Sequence, residues 1–477
     1  MAPSDPGRVL IIGAGPTGLG AAYRLHQCGF ENFLVLEASD TPGGLARSYV
    51  DQHGFTWDMG GHVQFSHYSY YDQVLDEALG DRWLWHDRES WIWIKGRFVP
   101  YPFQNNIHRL DVQDRNAALN GLEKAHASRH MGPPPSTFAD WIDQTFGAGI
   151  AGLFMRPYNL KVWGYPLEEL DTKWMGDRVA LPDLERIKGT IASGQDDLSW
   201  GPNRRFRFPA TGGTGAIWQG VARLLPPERM AFGERVAAVN TEHRFVELAD
   251  GQRRAFEVIL STIPLDMLAA MVEPLPAEVR LAAQSLRYSS VHVLGIGLRG
   301  TRPEALATKC WMYFPEHHSP YYRVTVFSNY SPRNVPVGAD YWSLMAEVCE
   351  SPQAPVVADT LADATVRSLR RDGLVPPDAD VVSLWHGRAH HGYPTPFLGR
   401  DAVLSSILPV LEAARVFSRG RFGGWKYEVS NQDHSFMQGV EWVNALLLSE
   451  PEITYRDPNR ANSGVFLQEP SPISRMS

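Results

Sequence analysis

Val9-Leu10-Ile11-Ile12-Gly13-Ala14-Gly15-Pro16-Thr17-Gly18-Leu19-Gly20 is the stretch that decides the fold class of this chain. Val9 to Ile12 form a short continuous apolar run, the pattern of a buried parallel strand. Gly13, Gly15 and Gly18 then permit a tight turn and a close backbone approach to a pyrophosphate. Pro16 and Thr17 open the next segment, where Leu19, Ala22 and Leu25 are spaced to give a helix an apolar face. The free N–H groups and positive dipole end of that helix would point at phosphates. A second apolar run, Phe33 to Leu36, ends at Glu37 and Ala38. Glu37 follows Gly18 at close to the ~20-residue spacing expected of the acid that holds a ribose hydroxyl. Strand, glycine turn, helix and acid together predict a dinucleotide-binding α/β domain.

The bulk composition narrows the class. The 477 residues exceed what one hydrophobic core holds, so more than one domain is expected. Apolar residues make up 44% and charged residues 21%, as in ordinary globular proteins. A net charge of −8 argues against a general nucleic-acid binder, which carries a basic footprint. Cys28, Cys310 and Cys349 are far apart and form no CxxC pair, so no metal site or disulfide framework is expected. No apolar signal core precedes the first strand, and no stretch reaches ~18 uninterrupted apolar residues. These features point to a cytoplasmic protein without membrane association.

After Glu37 comes Thr41-Pro42-Gly43-Gly44-Leu45-Ala46-Arg47. A glycine pair shortly after the ribose acid resembles the flavin amine-oxidase superfamily, where this loop passes the FAD pyrophosphate. That favours FAD over a nicotinamide as the bound cofactor, with Arg47 assisting the phosphates.

Along the chain, residues 1–88 read as the first dinucleotide-binding unit, rejoined by 205–290 and 400–460. Residues 89–204 are expected to be mostly helical, and 291–399 to form an antiparallel substrate-facing sheet. A tail, 461–477, closes the chain. The fold class is therefore α/β: a discontinuous FAD-binding Rossmann-like domain with an inserted helical domain and an antiparallel β-sheet substrate domain.

Further motifs make the resemblance specific. They are Gly60 to Tyr68 (GGHVQFSHY), Val99 to Asn106 (VPYPFQNN), Phe154 to Trp163 (FMRPYNLKVW) and Gly201 to Pro209 (GPNRRFRFP). Cys310 to Pro315 (CWMYFP), Phe327 to Pro332 (FSNYSP), Gly392 to Pro396 (GYPTP) and Ser418 to Met437 (SRGRFGGWKYEVSNQDHSFM) complete the series. With these motifs in order, the chain resembles the eukaryotic, fungal-type UDP-galactopyranose mutases along nearly its whole length.

The resemblance implies a chemistry. N5 of reduced FAD attacks the anomeric carbon of a nucleoside-diphosphate hexopyranose, the diphosphate leaves and returns, and pyranose becomes furanose without net redox. The cofactor is the nucleophile, and NADPH is the implied reductant. Arg323 and Arg421 match the family's diphosphate arginines, where a planar guanidinium can clamp phosphate oxygens through two hydrogen bonds. Tyr393 and Tyr427 match tyrosines on the same diphosphate. Arg178 and Asn203 match the two mobile loops that close over substrate. Tyr101, Phe103, Gln104, Asn159 and Trp163 match the uridine site. Trp311, Tyr313 and Tyr330 match the sugar and phosphate side. Gly60, Gly61 and His62 match the loop beside the isoalloxazine, and Arg88 an arginine near it. Gly420, Asn431, Gln432 and Ser435 complete the implied flavin contacts, with Asn431 also near substrate. The implied catalytic set is Arg323, Arg421, His62 and Arg178. The implied partner is a small nucleotide sugar, and self-association is left open.

Four departures from the family pattern stand out. Gln64 replaces an expected aliphatic residue, Thr211 an arginine and Ser199 an asparagine, and 331–341 is shorter. They leave open another nucleotide sugar, for a glycan or a natural product. An amine-oxidase-type oxidoreductase and a non-catalytic nucleotide binder are the competing classes.

Overall fold

A computed structural model describes residues 6–128, 131–176, 179–198 and 204–463. Arg178, Ser199 and Asn203 lie outside the described residues. The strand Val9–Ile12 is fully buried and lies at the centre of a five-stranded parallel sheet. Phe33–Glu37 and Met230–Phe232 follow on one side, Val258–Ser261 and Val416–Ser418 on the other. Burial on both faces explains why Val9–Ile12 and Val258–Ser261 are continuous apolar runs rather than alternating ones. The dinucleotide domain is thus assembled from segments hundreds of residues apart, as its expected discontinuity requires.

The helix Pro16–Gln27 starts from an extended Gly15, with Pro16 at the first helical position, where no N–H is needed. It packs against the long C-terminal helix Gln432–Leu448 at backbone distance. A Cβ on Gly20 would stand 2.3 Å from the Phe436 carbonyl oxygen, and one on Gly439 would stand 2.0 Å from that of Thr17. Both helices consequently direct their N-termini into the same space above the sheet.

A second sheet has seven strands, in the order 380–394, 288–299, 341–350, 323–325, 311–313, 90–94 and 97–100. Here the structure corrects the expected boundaries. The sheet begins at Tyr288 rather than 291 and takes in two strands from the segment expected to be mostly helical. It is also not wholly antiparallel, because Trp311–Tyr313 runs parallel to Ser90–Ile94. Ser90, Ile92 and Ile94 are buried while Trp91 and Trp93 are only partly so, an alternation with the strand period of two. Helices over Val112–Ser128, Phe138–Ile150, Arg156–Trp163 and Leu184–Ser193 make up much of the described remainder of 89–204.

The hairpin Ser48–Val50/Thr56–Asp58 packs against the seven-stranded sheet and holds the start of the helix Gly215–Arg223. Its Phe55 and Trp57 are fully buried, and each ring lies over a glycine of the long strand Tyr288–Arg299. A Cβ at Gly295 would come within 2.5 Å of Trp57, and one at Gly297 within 2.7 Å of Phe55. These glycines are there for ring packing, and the packing fixes where the chain emerges at Gly60-Gly61-His62.

Candidate functional site

The glycine turn folds as its sequence demands. Gly13 has φ +101°, which a side chain rarely adopts, and its N–H donates to the Leu36 carbonyl at 2.8 Å. Glu37 fastens the turn: its two carboxylate oxygens accept from the backbone N–H of Ala14 at 2.7 Å and of Ser39 at 2.9 Å. The second glycine pair comes up against the first, since a Cβ on Gly44 would stand 3.3 Å from the Gly15 Cα. Gly18 is behind the turn, where a Cβ would strike the Gly13 carbonyl oxygen at 1.9 Å. Its role is helix–strand packing.

A cavity of about 580 Å³ runs from this turn between the two sheets. Gly13, Gly15, Pro16, Thr17, Glu37, Gly44 and Leu45 line one end. Gly60, Gly61 and His62 line the middle, with Asn431, Gln432 and Ser435 from the start of the C-terminal helix. Arg323, Arg421, Tyr393 and Tyr427 line the other end. The structure therefore brings together most of the residues that the sequence placed in the cofactor and diphosphate sites. Ala38, Gly43, Arg88 and Gly420 are not in the cavity wall.

Two guanidinium groups define the far end. Arg323 and Glu347 are cross-strand partners, and Nε and Nη2 of the arginine donate to the two Glu347 oxygens at 2.8 and 2.7 Å. Glu347 is 1% exposed and also accepts from the Gly61 N–H at 3.0 Å and the Tyr322 hydroxyl at 2.9 Å. One buried carboxylate thus joins the arginine to the Gly60–His62 loop. Burial is the largest influence and would raise the Glu347 carboxyl, but the Arg323 charge and the hydrogen bonds from Arg323, Gly61 and Tyr322 together hold its pKa below the ordinary value. Among the described residues, Nη1 of Arg323 has no hydrogen-bond partner and is available to a ligand.

Arg421 is held differently. Nε and Nη2 donate to the Gly392 carbonyl at 3.2 and 2.8 Å, and Nη1 donates to the Ser430 hydroxyl at 2.9 Å. Its guanidinium lies 4.9 Å from the centre of the Tyr393 ring. No carboxylate balances it in these contacts, so the far end of the cavity carries net positive charge.

His62 is neutral near pH 7. Desolvation pushes its pKa down to about 4; the Glu347 charge opposes the shift, and Arg421 and Arg323 add to it. Its Nδ1 is buried and lacks a hydrogen-bond partner among the described residues. Asp433, on the cavity wall, accepts from His67 Nδ1 at 2.8 Å. Burial would raise its carboxyl, but the adjacent His434 and His67 hold it at about 2.

The remaining predicted substrate residues stand behind the tyrosines. Trp163 packs edge-on to Tyr427 and Tyr393, with ring centres 4.9 and 6.1 Å apart. Tyr101 is 5.6 Å from Tyr313, and Trp311 donates to the Tyr313 hydroxyl at 2.7 Å. Phe103 is fully buried on Phe154, so Tyr101 is the candidate with surface left to offer a base. The amides of Gln104 and Asn159 donate to the carbonyls of Ala180 and Met155. Tyr330 is fully buried, and its hydroxyl has no partner among the described residues.

Sequence reasoning missed Glu347, Ser430 and Asp433. Glu347 is the single acid facing Arg323 across strands 323–325 and 341–350, a pairing invisible until the register is known. Ser430 and Asp433 flank the Asn431-Gln432 motif and were within reach.

The residues fit a flavin dinucleotide. The glycine cradle leaves no room for side chains at one end, Glu37 lines the cavity beside it, and the helices Pro16–Gln27 and Gln432–Leu448 begin at the cavity wall, where anionic oxygens would be favoured.

The sequence profile of the family described as flavin containing amine oxidoreductase matches residues 16–424. The chain belongs to that family. A crystal structure of reduced UDP-galactopyranose mutase is similar to this family member over 96% of this chain and 99% of the other, with a TM-score of 0.93 and 48% identity. A putrescine oxidase bound to putrescine covers 93% of this chain and 99% of its own, at a TM-score of 0.63 and 16% identity, a likeness of fold alone. Curated relatives match only locally. An L-amino acid oxidase of Cerastes cerastes is 47% identical over 58 residues, 12% of this chain and 11% of that protein. A 15-cis-phytoene desaturase of Arabidopsis thaliana is 30% identical over 122 residues, 25% and 20% of the two proteins. The chain thus spans a small part of these curated relatives' length. Among the described residues, no helix is long and apolar enough to cross a membrane.

Proposed function

We propose that this flavoprotein is a mutase that interconverts the pyranose and furanose forms of a nucleoside-diphosphate hexose, with UDP-galactopyranose the first substrate to test. The observation that carries this reading is the convergence of Arg323, Arg421, Tyr393 and Tyr427 on one end of the flavin cavity. Two cationic side chains with aligned N–H donors suit a diphosphate and repel an amine. The extensive likeness to a UDP-galactopyranose mutase supports the same choice, and the motif resemblance extends it to the fungal-type subgroup.

Bound and reduced, a flavin supplies the nucleophile for the anomeric carbon. The protein's own groups do the rest. Arg323 offers Nη1 to a diphosphate oxygen while Glu347 fixes its orientation. Arg421 stabilises the charge that develops as the diphosphate leaves, and its rigid seat on Gly392 and Ser430 means little reorganisation at that moment. Burial raises the pKa of Tyr393 despite the opposing charge of Arg323, so its hydroxyl is protonated and able to donate at neutral pH. His62, being neutral, adds no charge beside the flavin. By resemblance, the loops carrying Arg178 and Asn203 close over substrate, Tyr101 and Trp163 border the base, and NADPH reduces the flavin. Three free, buried cysteines suit a reducing compartment, and on that ground we place the protein in the cytoplasm. The pattern of 89–204 and 291–399 as substrate-side domains belongs to the same proposal.

The test is anaerobic: reduce the purified protein with dithionite, add UDP-galactopyranose or UDP-galactofuranose, and resolve the products chromatographically. Interconversion by the reduced form alone is expected. Failure with a panel of nucleotide sugars overturns the reading. A second reading, an oxidase, is favoured by the curated relatives' names; it predicts flavin reduction by an amine and peroxide release.

A further inference from the structure

Gln64 is a residue of the cavity wall whose chemistry the proposed function does not use. It stands where an aliphatic side chain is expected, and it is 3% exposed. Its backbone is fixed by two hydrogen bonds with Arg207, N–H to carbonyl in each direction, at 3.1 and 3.0 Å. Its side-chain Oε1 accepts from the Tyr71 hydroxyl at 2.6 Å. That bond fixes the amide, because the tyrosine O–H needs an acceptor and leaves Nε2 on the opposite arm. Nε2 is buried and has no hydrogen-bond partner among the described residues. A buried donor left unpaired is costly, and native proteins rarely keep one without a ligand or a function. Since Gln64 also lines the cavity, an acceptor on a molecule seated there is the partner that the protein itself does not supply.

The surroundings say which molecule. Tyr71 packs on Phe436 with ring centres 5.5 Å apart and on Trp218 at 6.4 Å, and Trp218 donates to Gln432 at 2.8 Å. The Gln64 amide therefore stands beside the first turns of helix Gln432–Leu448, whose N-terminal residues line the cavity. A helix N-terminus and a fixed amide donor converge there on one region, and both favour a ligand edge that carries electron density. On a flavin that edge is the pyrimidine ring, with its carbonyl oxygens, which becomes more electron-rich on reduction.

We propose that Gln64 donates a hydrogen bond from Nε2 to a carbonyl of the flavin pyrimidine ring and thereby favours the reduced cofactor. The proposal rests on flavin binding and not on the identity of the sugar, so it is tested without substrate.

The experiment is a spectroelectrochemical titration of the FAD-loaded protein and its Gln64→Leu variant at one pH. Removal of the donor is expected to shift the oxidised-to-reduced partition about tenfold toward oxidised, a drop of about 30 mV in the two-electron midpoint. The infrared band of a ¹³C-labelled flavin carbonyl should move to higher frequency in the same variant. If Gln64→Leu fails to hold FAD, Tyr71→Phe serves instead: it keeps the donor but frees the amide to turn, and a smaller drop is expected. An unchanged midpoint and an unchanged carbonyl band overturn the proposal. Failure of the mutase reading would leave these potentials unaffected.

Discussion

Arg323→Ala should damage stability and catalysis separately, and the structure says how to tell them apart. The substitution leaves Glu347, 1% exposed, with the Gly61 N–H and the Tyr322 hydroxyl but without its counter-charge. Breaking a buried ion pair from one side costs ~3–5 kcal/mol, a large share of the ~5–15 kcal/mol that holds a typical protein folded. The melting temperature should fall sharply. The diphosphate clamp is lost as well, and truncating one member of a close charge pair costs ~2–5 kcal/mol. That corresponds to roughly a 30- to 5,000-fold loss in kcat/KM. The assay is anaerobic turnover of UDP-galactopyranose by reduced enzyme, with FAD content and Tm measured on the same sample. The double variant Arg323→Met/Glu347→Leu removes both charges and should regain most of the stability, since apolar pairs of similar size replace buried ion pairs at little cost. It should regain none of the activity. Wild-type kcat/KM in the single variant, or recovery in the double one, would refute the assignment of Arg323 to the diphosphate.

Other outcomes are expected. Arg421→Lys cannot span Gly392 and Ser430 with one ammonium group, so kcat/KM should drop at least about tenfold, with Tm little changed; equal activity removes Arg421 from the clamp. Gly439→Ala places a Cβ 2.0 Å from the Thr17 carbonyl oxygen and forces the two helices apart. Overpacking of this kind costs ~1–3 kcal/mol or more, and the protein should purify with less flavin absorbance; a yellow variant with wild-type Tm contradicts the packing argument. Burial raises the Glu441 carboxyl to about 7, even though it accepts bonds from Thr454. A carboxyl raised in the folded state favours folding below its unfolded pKa of about 4.5 and loses that contribution as pH rises through 7. On the order of 3 kcal/mol should disappear between pH 4.5 and 8, seen as a falling Tm, and Glu441→Gln should flatten that slope.

Local features were legible because local physics settles them. The Gly13–Gly18 turn needs positive φ and close backbone approach, and these demands leave glycines that can be read in isolation. Glu37 was readable from its distance along the chain, although its carboxylate also fastens the turn through Ala14 and Ser39. The strand at 90–94 alternates in sequence, but five residues beside a long run of helical patterns carry too little signal to stand apart from it. Phe103 and Tyr101 are equally aromatic in sequence, and only packing buries one and leaves surface on the other.

The sequence by itself determined a parallel α/β domain with a dinucleotide cradle and the positions that make it, and through the family resemblance its motifs singled out the arginines and tyrosines that line the far end of the cavity. Tertiary structure alone decided what those arginines lean on. Arg323 is oriented by Glu347 through a cross-strand register, Arg421 by the carbonyl of Gly392 and the hydroxyl of Ser430, and Gln64 by Tyr71. A strand or turn is fixed by interactions a few residues long, and its residues must carry that information. A buried carboxylate or amide finds its partner only when segments far apart in the chain close on each other, and no spacing in the sequence encodes that contact.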